Sequence, residues 1–401
     1  MPSIYTDDFS DIRNRINYLL NAIYEDNDKY DKINLYCACE LLICEYWRYN
    51  ADGINYYRKL NKYKNFINKQ KMQIKQLNAK FLQDFIDKKD FHLNFCEEFL
   101  NDFSELEYID LGDYVPINGG MQIYEEDEYL IFKEFLTKYH PEFVEMFDYL
   151  IKTNKIFLTD NLNNDIDVGY QSSGINIFNA FDMDYYIFIQ EQPSVILQLS
   201  SLAHEFGHTI DYMNLIQTHS KKDYSYYTFK SSFIETISCM IEMEFCEYCL
   251  DNHLDTKFVK DNLQKFYINI LHNINELNLI CHLPNNVLKN DKYKKVSKEK
   301  LYKIAQDNCE LAVDYDEFIE PSELNYNYDL QYGYGRALAT YFSYLRKNKP
   351  SKYLEAFGNF TKIRHDYIQP NIFEQLQTTS SEMSKIVKEE INSKDVKIYI
   401  K

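Results

Sequence analysis

The chain has 401 residues, and 62 acidic against 44 basic side chains leave a formal net charge of −18 at pH 7. Phosphate backbones are held by basic surfaces, so nucleic acid is excluded as an expected partner. With 45% hydrophobic residues but only ten Gly and eight Pro, the chain can bury a large core and favours a mainly helical fold.

The first twelve residues carry Asp7, Asp8 and Asp11 and lack a basic region followed by an apolar one. That pattern argues for the cytoplasm. Nine cysteines without regular spacing fit a reducing compartment better than a disulfide framework. From about Asp8 to Phe103 the periodicity is helical: Ile12, Ile16, Leu19 and Ile23 mark one element, and Leu35 through Trp47 a second. Gly112, Pro116 and Gly119-Gly120 punctuate the stretch from Ser104 to Asn118. Two regions are expected on either side, a helical one over residues 1–105 and a main domain over 106–401. Glu125 to Asn154 is helical again, and a small sheet is expected between Phe157 and Gln190. Within it, Tyr185 to Gln190 is aromatic and β-branched without Gly or Pro, which predicts a strand. Such a strand is either an edge that pairs with an extended peptide or an ordinary core strand.

A long helix follows, from Val195 to Ile216, with Ser194 as its expected N-cap. Val195, Leu199, Leu202, Phe206, Thr209 and Met213 form its apolar stripe. Inside it stands His204-Glu205-Phe206-Gly207-His208. Histidines at i and i+4 lie one above the other on a helix, so both rings reach one metal ion. Glu205 is rotated about 100° from His204, which suits a base beside the metal and not a ligand on it. The alternative is a solvated face with two ordinary histidines, but on a buried helix three polar side chains need partners.

Zinc in such a site takes three protein ligands and leaves a fourth position to water. The next helix is expected from Ser231 or Ser232, as cap, through Cys249, and it offers Glu235 as the third ligand, 27 residues beyond His208. Glu235, Ser238 and Glu242 share a face of that helix amid Ile234, Ile237, Met240, Ile241 and Phe245. Glu242 is the expected acceptor for the N–H of a ligating imidazole. A solvated glutamate stripe that includes Glu244 and Glu247 is the competing interpretation. Cys37-Ala38-Cys39 and Cys246-Glu247-Tyr248-Cys249 lack a partner pair at zinc-finger spacing, so buried free thiols are expected.

Asn285 to Lys303, with four lysines at 289, 292, 294 and 295, is the expected solvated insertion. In Tyr328-Asp329-Leu330-Gln331-Tyr332-Gly333-Tyr334-Gly335, the glycines predict a loop that meets a helix running from Arg336 to Arg346. Helices follow, and the end from Val396 to Lys401 is short. No run of about 18 apolar residues occurs, so no membrane span is expected.

The motif residues resemble those of the M3 zinc metallopeptidases, the oligopeptidase F and thimet oligopeptidase group. In that family an HEFGH or HELGH helix precedes a helix with Glu-x-x-Ser-x-x-x-Glu, the pattern of Glu235, Ser238 and Glu242 here. Tyr108 to Leu111 with Tyr114 to Pro116, and Gly169 to Gly174 with Tyr185 to Gln190, are similar to two further family stretches. The Tyr328 to Gly335 segment is similar to the family's Tyr- and Gly-rich segment. The resemblance spans about Tyr108 to the late 380s. It implies a zincin-like catalytic domain with a small sheet beside the HExxH helix, and an N-terminal helical region enclosing a substrate channel. It also implies one Zn2+ held by His204, His208 and Glu235, with Glu205 as base and oligopeptides as substrates. Tyr328 or Tyr332 would donate to the oxyanion, and Tyr334 is the weaker candidate. The chain departs from the family in its shorter N-terminal part. It also departs before the Tyr segment, where members usually carry a His. No His occurs between His282 and His365, and Asn325 or Tyr326 is the candidate replacement.

The expectation is a zinc-dependent endopeptidase acting on unstructured oligopeptides. Two rivals stand beside it: a toxin-like zinc protease that cuts one specific protein, and a catalytically weak, zinc-bound peptide-binding protein.

Overall fold

The computed structural model describes residues 3–25, 31–62, 64–103, 125–159, 174–179, 184–192, 194–220, 223–225, 231–289, 294–308, 319–322, 324–365 and 367–393. The expected boundary at Ser104 to Asn118, the motif residues Tyr108 to Pro116 and Gly169 to Ser173, and the end from Val396 lie outside them. As expected, the fold is mainly α-helical with one small three-stranded sheet.

The chain divides into two compact units, each built from several segments. The first comprises 1–76, 116–229 and 244–259. It opens with α1 (Ser10–Tyr24) and α2 (Lys32–Tyr49). The four-residue and three-residue spacings of Ile12, Ile16, Leu19 and Ile23 put all four on one buried face of α1. Asp31 caps α2, its carboxylate accepting from the Ile33 and Asn34 N–H groups at 3.0 and 3.1 Å. Short α3 (Gly53–Asn61) follows, then the first part of α4 (Lys64–Asp87); the rest of α4 from Leu77 and α5 (Lys89–Asn101) belong to the second unit. The span from Glu125 to Asn154 is helical as expected, in two helices, α6 (Glu125–Tyr139) and α7 (Val144–Lys152). Pro141 accounts for the break, since it lacks an N–H and starts a short 3-10 turn between them.

The sheet follows as β1 (Ile156–Thr159), β2 (Gly174–Asn179) and β3 (Asp184–Gln190). Its order is β1-β3-β2, with β3 parallel to β1 and antiparallel to β2. Strand side chains alternate between faces, and here the alternation separates two jobs. Ile177 from β2, with Tyr186 and Phe188 from β3, joins the α1–α2 core. The opposite face of β2 packs on α8 (Val195–Thr218), the helix that carries both central histidines.

The second unit comprises 77–115, 230–243 and 260–401. Its helices include α9 (Glu235–Asp251) and α10 (Thr256–His282), which also contribute residues to the first unit. The expected insertion from Asn285 to Lys303 contains α11 (Asn285–Leu288) and the first part of α12 (Lys298–Asn308), and Lys289, Lys294 and Lys295 between them are exposed. Then come α13 (Tyr326–Asn348), α14 (Pro350–Ile363), α15 (Ile372–Gln375) and α16 (Ser380–Ser393). Buried α13 packs on α14 and α16, and α16 packs on α5. Among the described residues, no helix is long and apolar enough to cross a membrane.

Candidate functional site

In α8, Leu199, Leu202, Phe206 and Thr209 are fully buried, as the apolar stripe predicts. Burial extends further round the helix, because Ile196, Ala203, Ile210 and Leu215 are covered as well. One side meets β2 and β3, and another meets α6. Phe206 stands edge-on to Phe132 at 5.8 Å and to Phe147 at 6.0 Å. His204 and His208 belong to the less covered stripe, with ring centroids 5.0 Å apart. The i, i+4 spacing therefore places both imidazoles side by side on the open side of a buried helix. Tyr212, one turn further on, lies between His208 at 6.3 Å and Phe178 at 4.7 Å, roughly parallel to both rings. Ser194 stands at the N-cap position, as expected, and its carbonyl accepts from the Gln198 N–H at 3.0 Å. Its hydroxyl makes no capping bond and donates instead to Asp255 Oδ2 at 2.6 Å.

Glu205 is buried and turned toward the sheet. A Cβ at Gly174 would stand 2.7 Å from Glu205 Cγ and 3.0 Å from Oε1, so the side chain lies directly on the strand backbone. Two residues along the same face, Asn176 Nδ2 donates to the Glu205 carbonyl at 2.8 Å and to Thr209 Oγ1 at 2.7 Å. These bonds lock β2 to the turn that bears the motif. Asn176 was not foreseen from sequence, because nothing local marks an Asn as a clamp between a strand and a distant helix. Of the two alternatives for Tyr185 to Gln190, an edge or a core strand, the structure shows the core strand, because β3 is hydrogen-bonded on both sides. The strand beside Glu205 with an outer edge unpaired among the described residues is β2.

In the second unit, Glu235 is the first residue of α9 and is buried. Ser238, fully buried one turn on, donates to the Glu235 carbonyl at 3.0 Å and to Oε2 at 3.2 Å. The shared face of Glu235 and Ser238 is thus a steadying contact for the carboxylate. Ser231 and Ser232 do not cap this helix, which begins later than expected. Ser231 Oγ donates to the Arg364 carbonyl, and Ser232 Oγ accepts from the Ile368 N–H at 3.1 Å. Glu242 is partly exposed on the same face as Glu235. The competing solvated stripe is not observed at Glu244 and Glu247, which are both buried. Within the first unit, Glu244 Oε2 lies 2.7 Å from His140 Nε2.

The Tyr-Gly segment is helix, not loop. Asn325 caps α13 through its side-chain oxygen, which accepts from the Tyr328 N–H at 3.4 Å, and the helix runs unbroken from Tyr326. Gly333 and Gly335 serve close packing. A Cβ at Gly335 would stand 2.8 Å from Glu235 Cβ, and one at Gly333 3.3 Å from Ile274 Cγ1. Tyr328 is 44% exposed and its ring lies 4.3 Å from that of Tyr332. Burial, followed by the charge of Glu235, pushes the Tyr332 phenol well above its usual range, so it stays protonated. Tyr334 is fully buried against His92, whose Nδ1 lies 3.2 Å from the Tyr334 hydroxyl and Nε2 3.0 Å from that of Tyr367. Of the candidate replacements for the missing His, Asn325 uses its Oδ1 for the cap and keeps its amide N–H groups as donors, and the Tyr326 ring packs on Phe81 and Phe85.

The cysteine pairs are free thiols, and Cys39, Cys246 and Cys249 are buried. Burial pushes the Cys37 thiol up to about 12 and raises Cys39 and Cys249 further, which disfavours the thiolate needed for metal or redox chemistry.

The chain matches no known family by sequence profile and no curated protein. Similar solved structures include PZ peptidase A with inhibitor 2, at 12% identity and a TM-score of 0.49, over 98% of this chain and 78% of that one. A candidate peptidase from Chlamydophila abortus is similar at 13% identity and a TM-score of 0.46, over 97% of this chain and 73% of that one. A candidate oligoendopeptidase F from Bacillus anthracis str. Ames is similar at 12% identity and a TM-score of 0.45, over 97% and 75% respectively.

Proposed function

We propose that the protein is a zinc-dependent endopeptidase that hydrolyses peptide bonds in unstructured oligopeptides. One observation carries the reading. On α8 two imidazoles stand side by side on the open stripe, while the carboxylate next to the first is seated on a glycine of an edge strand. A solvated helix face would not bury that carboxylate.

His204, His208 and Glu235 offer two ring nitrogens and a carboxylate oxygen, a donor set that suits Zn2+ and leaves a fourth position open. The setting of Glu235 fits a ligand role. Gly335 closes in on its Cβ and Ser238 steadies Oε2, so the carboxylate is held in place before any ion arrives. When bound there, zinc would polarise the peptide carbonyl and bring the pKa of water toward neutrality. Glu205 takes the proton of the attacking water and returns it to the leaving amine. Glu242 accepts from the outer N–H of a ligating imidazole. The exposed Tyr328 hydroxyl, or that of Tyr332 beside it, donates to the oxyanion. The outer edge of β2 pairs with the backbone of an extended peptide, which a folded substrate could not present.

A second reading, a zinc-bound protein that holds peptides with little turnover, is favoured by one fact. No His occurs between His282 and His365, so the stretch before Tyr328 lacks the imidazole donor that the resemblance implies. Metal-replete wild type and Glu205→Gln, each incubated with a mixed peptide library, separate the readings. Wild type should cleave many short peptides, and the variant should keep one zinc per chain while losing about 10²–10⁴-fold in turnover. Comparable turnover in Glu205→Gln refutes the mechanism. Binding without products favours the second reading, and cleavage confined to one folded protein favours a specific protease.

A further inference from the structure

Arg336 lies on α13 one turn after Tyr332 and one residue after Gly335, the glycine that packs on Glu235. Its guanidinium sits 4.5 Å from the centroid of the Tyr332 ring and 5.9 Å from that of Phe266. Nη1 donates to Asn273 Oδ1 at 2.6 Å, and Asn273 Nδ2 donates to Asp329 Oδ1 at 3.2 Å. Two aromatic faces and one hydrogen bond thus fix the plane of the fork.

Two acids nearby are engaged with one another, and the charge of a third, Glu242, reaches Arg336. Asp329 is buried and hydrogen-bonded to Glu276, and burial together with the Glu276 charge raises its carboxyl well above the usual range. Glu276 also lies 3.2 Å from His272. Among the described residues, no carboxylate stands within ion-pair distance of the Arg336 guanidinium, whose contacts are Asn273, Tyr332 and Phe266. The Glu242 charge favours the Arg336 cation without making an ion pair with it, so a bound carboxylate would give the guanidinium its first ion pair among the described residues. In a chain of net charge −18, such a cation beside a proposed ligand carboxylate calls for a reason.

The geometry points to Arg336 as the binding site for a carboxylate of the bound peptide. This rests on the peptidase reading and names a feature of its substrate. The planar fork matches the two oxygens of a carboxylate, and its remaining N–H groups have no partner among the described residues. The carboxylate comes from either the free C-terminus of the peptide or an Asp or Glu side chain.

Four peptides of one sequence separate these sources, with either a free or an amidated C-terminus and with either Glu or Gln at one internal position. Binding is read by fluorescence anisotropy and cleavage by mass spectrometry, on full-length metal-replete wild type, Arg336→Gln and Arg336→Lys. Removing the recognised carboxylate should weaken wild-type binding about tenfold to a hundredfold, and the pair that shows the effect names the source. Arg336→Gln should bind all four peptides alike. Arg336→Lys, which keeps the charge without the fork, should retain part of the preference and decides the matter if the Gln variant does not fold. Equal wild-type binding of all four peptides overturns the proposal, as does a preference that survives unchanged in the variants. Carboxylate-dependent binding without cleavage removes the peptidase reading and leaves the anchor standing. Cleavage without carboxylate preference does the reverse.

Discussion

Gly174→Ala tests whether the seating of Glu205 on β2 matters for catalysis. The added methyl would stand 2.7 Å from Glu205 Cγ and 3.0 Å from Oε1, and 3.1 Å from Ile189 Cδ1. Ordinary contacts begin near 3.4 Å, so about 0.7 Å of overlap with Cγ must be relieved. Cγ is not the free end of the side chain, so relief requires rotation about χ1 or a shift of the strand. Asn176 resists the strand shift, because it ties β2 to the Glu205 carbonyl and to Thr209. The carboxylate is therefore expected to move by most of an ångström, at a cost of about 0.5–1.5 kcal/mol in rotamer energy. Misplacing a catalytic group by about 1 Å costs on the order of 100-fold, so kcat should fall between tenfold and a hundredfold. Zinc content should stay at one per chain, since the histidines do not touch the new methyl. Folding should not suffer from the residue change as such, because Ala suits a strand interior at least as well as Gly. Steady-state kinetics with a quenched fluorescent peptide, zinc stoichiometry and thermal unfolding would be measured together. Wild-type kcat in a fully folded Gly174→Ala protein would refute the argument that this contact positions the base.

Gly335→Ala attacks the other half of the site. Its methyl would meet Glu235 Cβ at 2.8 Å, so zinc affinity should drop about tenfold or more, whereas Gly358→Ala, with open space around it, should leave zinc affinity unchanged in a metal-chelator competition. His92 predicts an acid-side loss of stability. Burial lowers its pKa from 6.5 to about 3, so the unfolded chain takes up a proton below pH 6.5 that the folded chain refuses. Its contribution is complete above pH 6.5 and shrinks as the pH falls toward 3, with about 2 kcal/mol gone at pH 5 at about 1.36 kcal/mol per unit. Urea unfolding of His92→Gln should show a pH profile flatter than wild type by that amount between pH 6.5 and 5. Parallel profiles would count against the assignment.

The histidine pair was legible because α-helical spacing is local. Knowing that 195–216 is helical suffices to put His204 and His208 on one face, and the structure extends that helix only to Thr218. Glu235 was legible as a buried acid on an apolar face for the same reason. The tyrosine segment was misjudged because glycine is ambiguous. In a sequence Gly333 and Gly335 look like breaks, but in the fold they let α13 approach Ile274 and Glu235. Ser194 holds the N-cap position but its hydroxyl donates to Asp255 and makes no capping bond, and Ser231 and Ser232 miss the cap because α9 begins only at Glu235. Strand order was likewise closed to sequence, since β2 and β3 look equally able to form an edge.

By itself, the sequence determined the mainly helical composition, the adjacency of two imidazoles and the carboxylate beside the first. All three follow from repeats of a few residues and from the dihedral preferences of the chain. Only the tertiary structure decided which side of α8 stays open, that Glu205 rests on Gly174, and that Ser238 and Gly335 hold Glu235. It alone decided that Arg336 is stacked on Tyr332 without an ion partner among the described residues. The contacts of Gly174 with Glu205 and of Gly335 with Glu235 join segments tens of residues to a hundred residues apart. Their energies depend on burial and on what else each polar group finds nearby, and no local spacing carries that information.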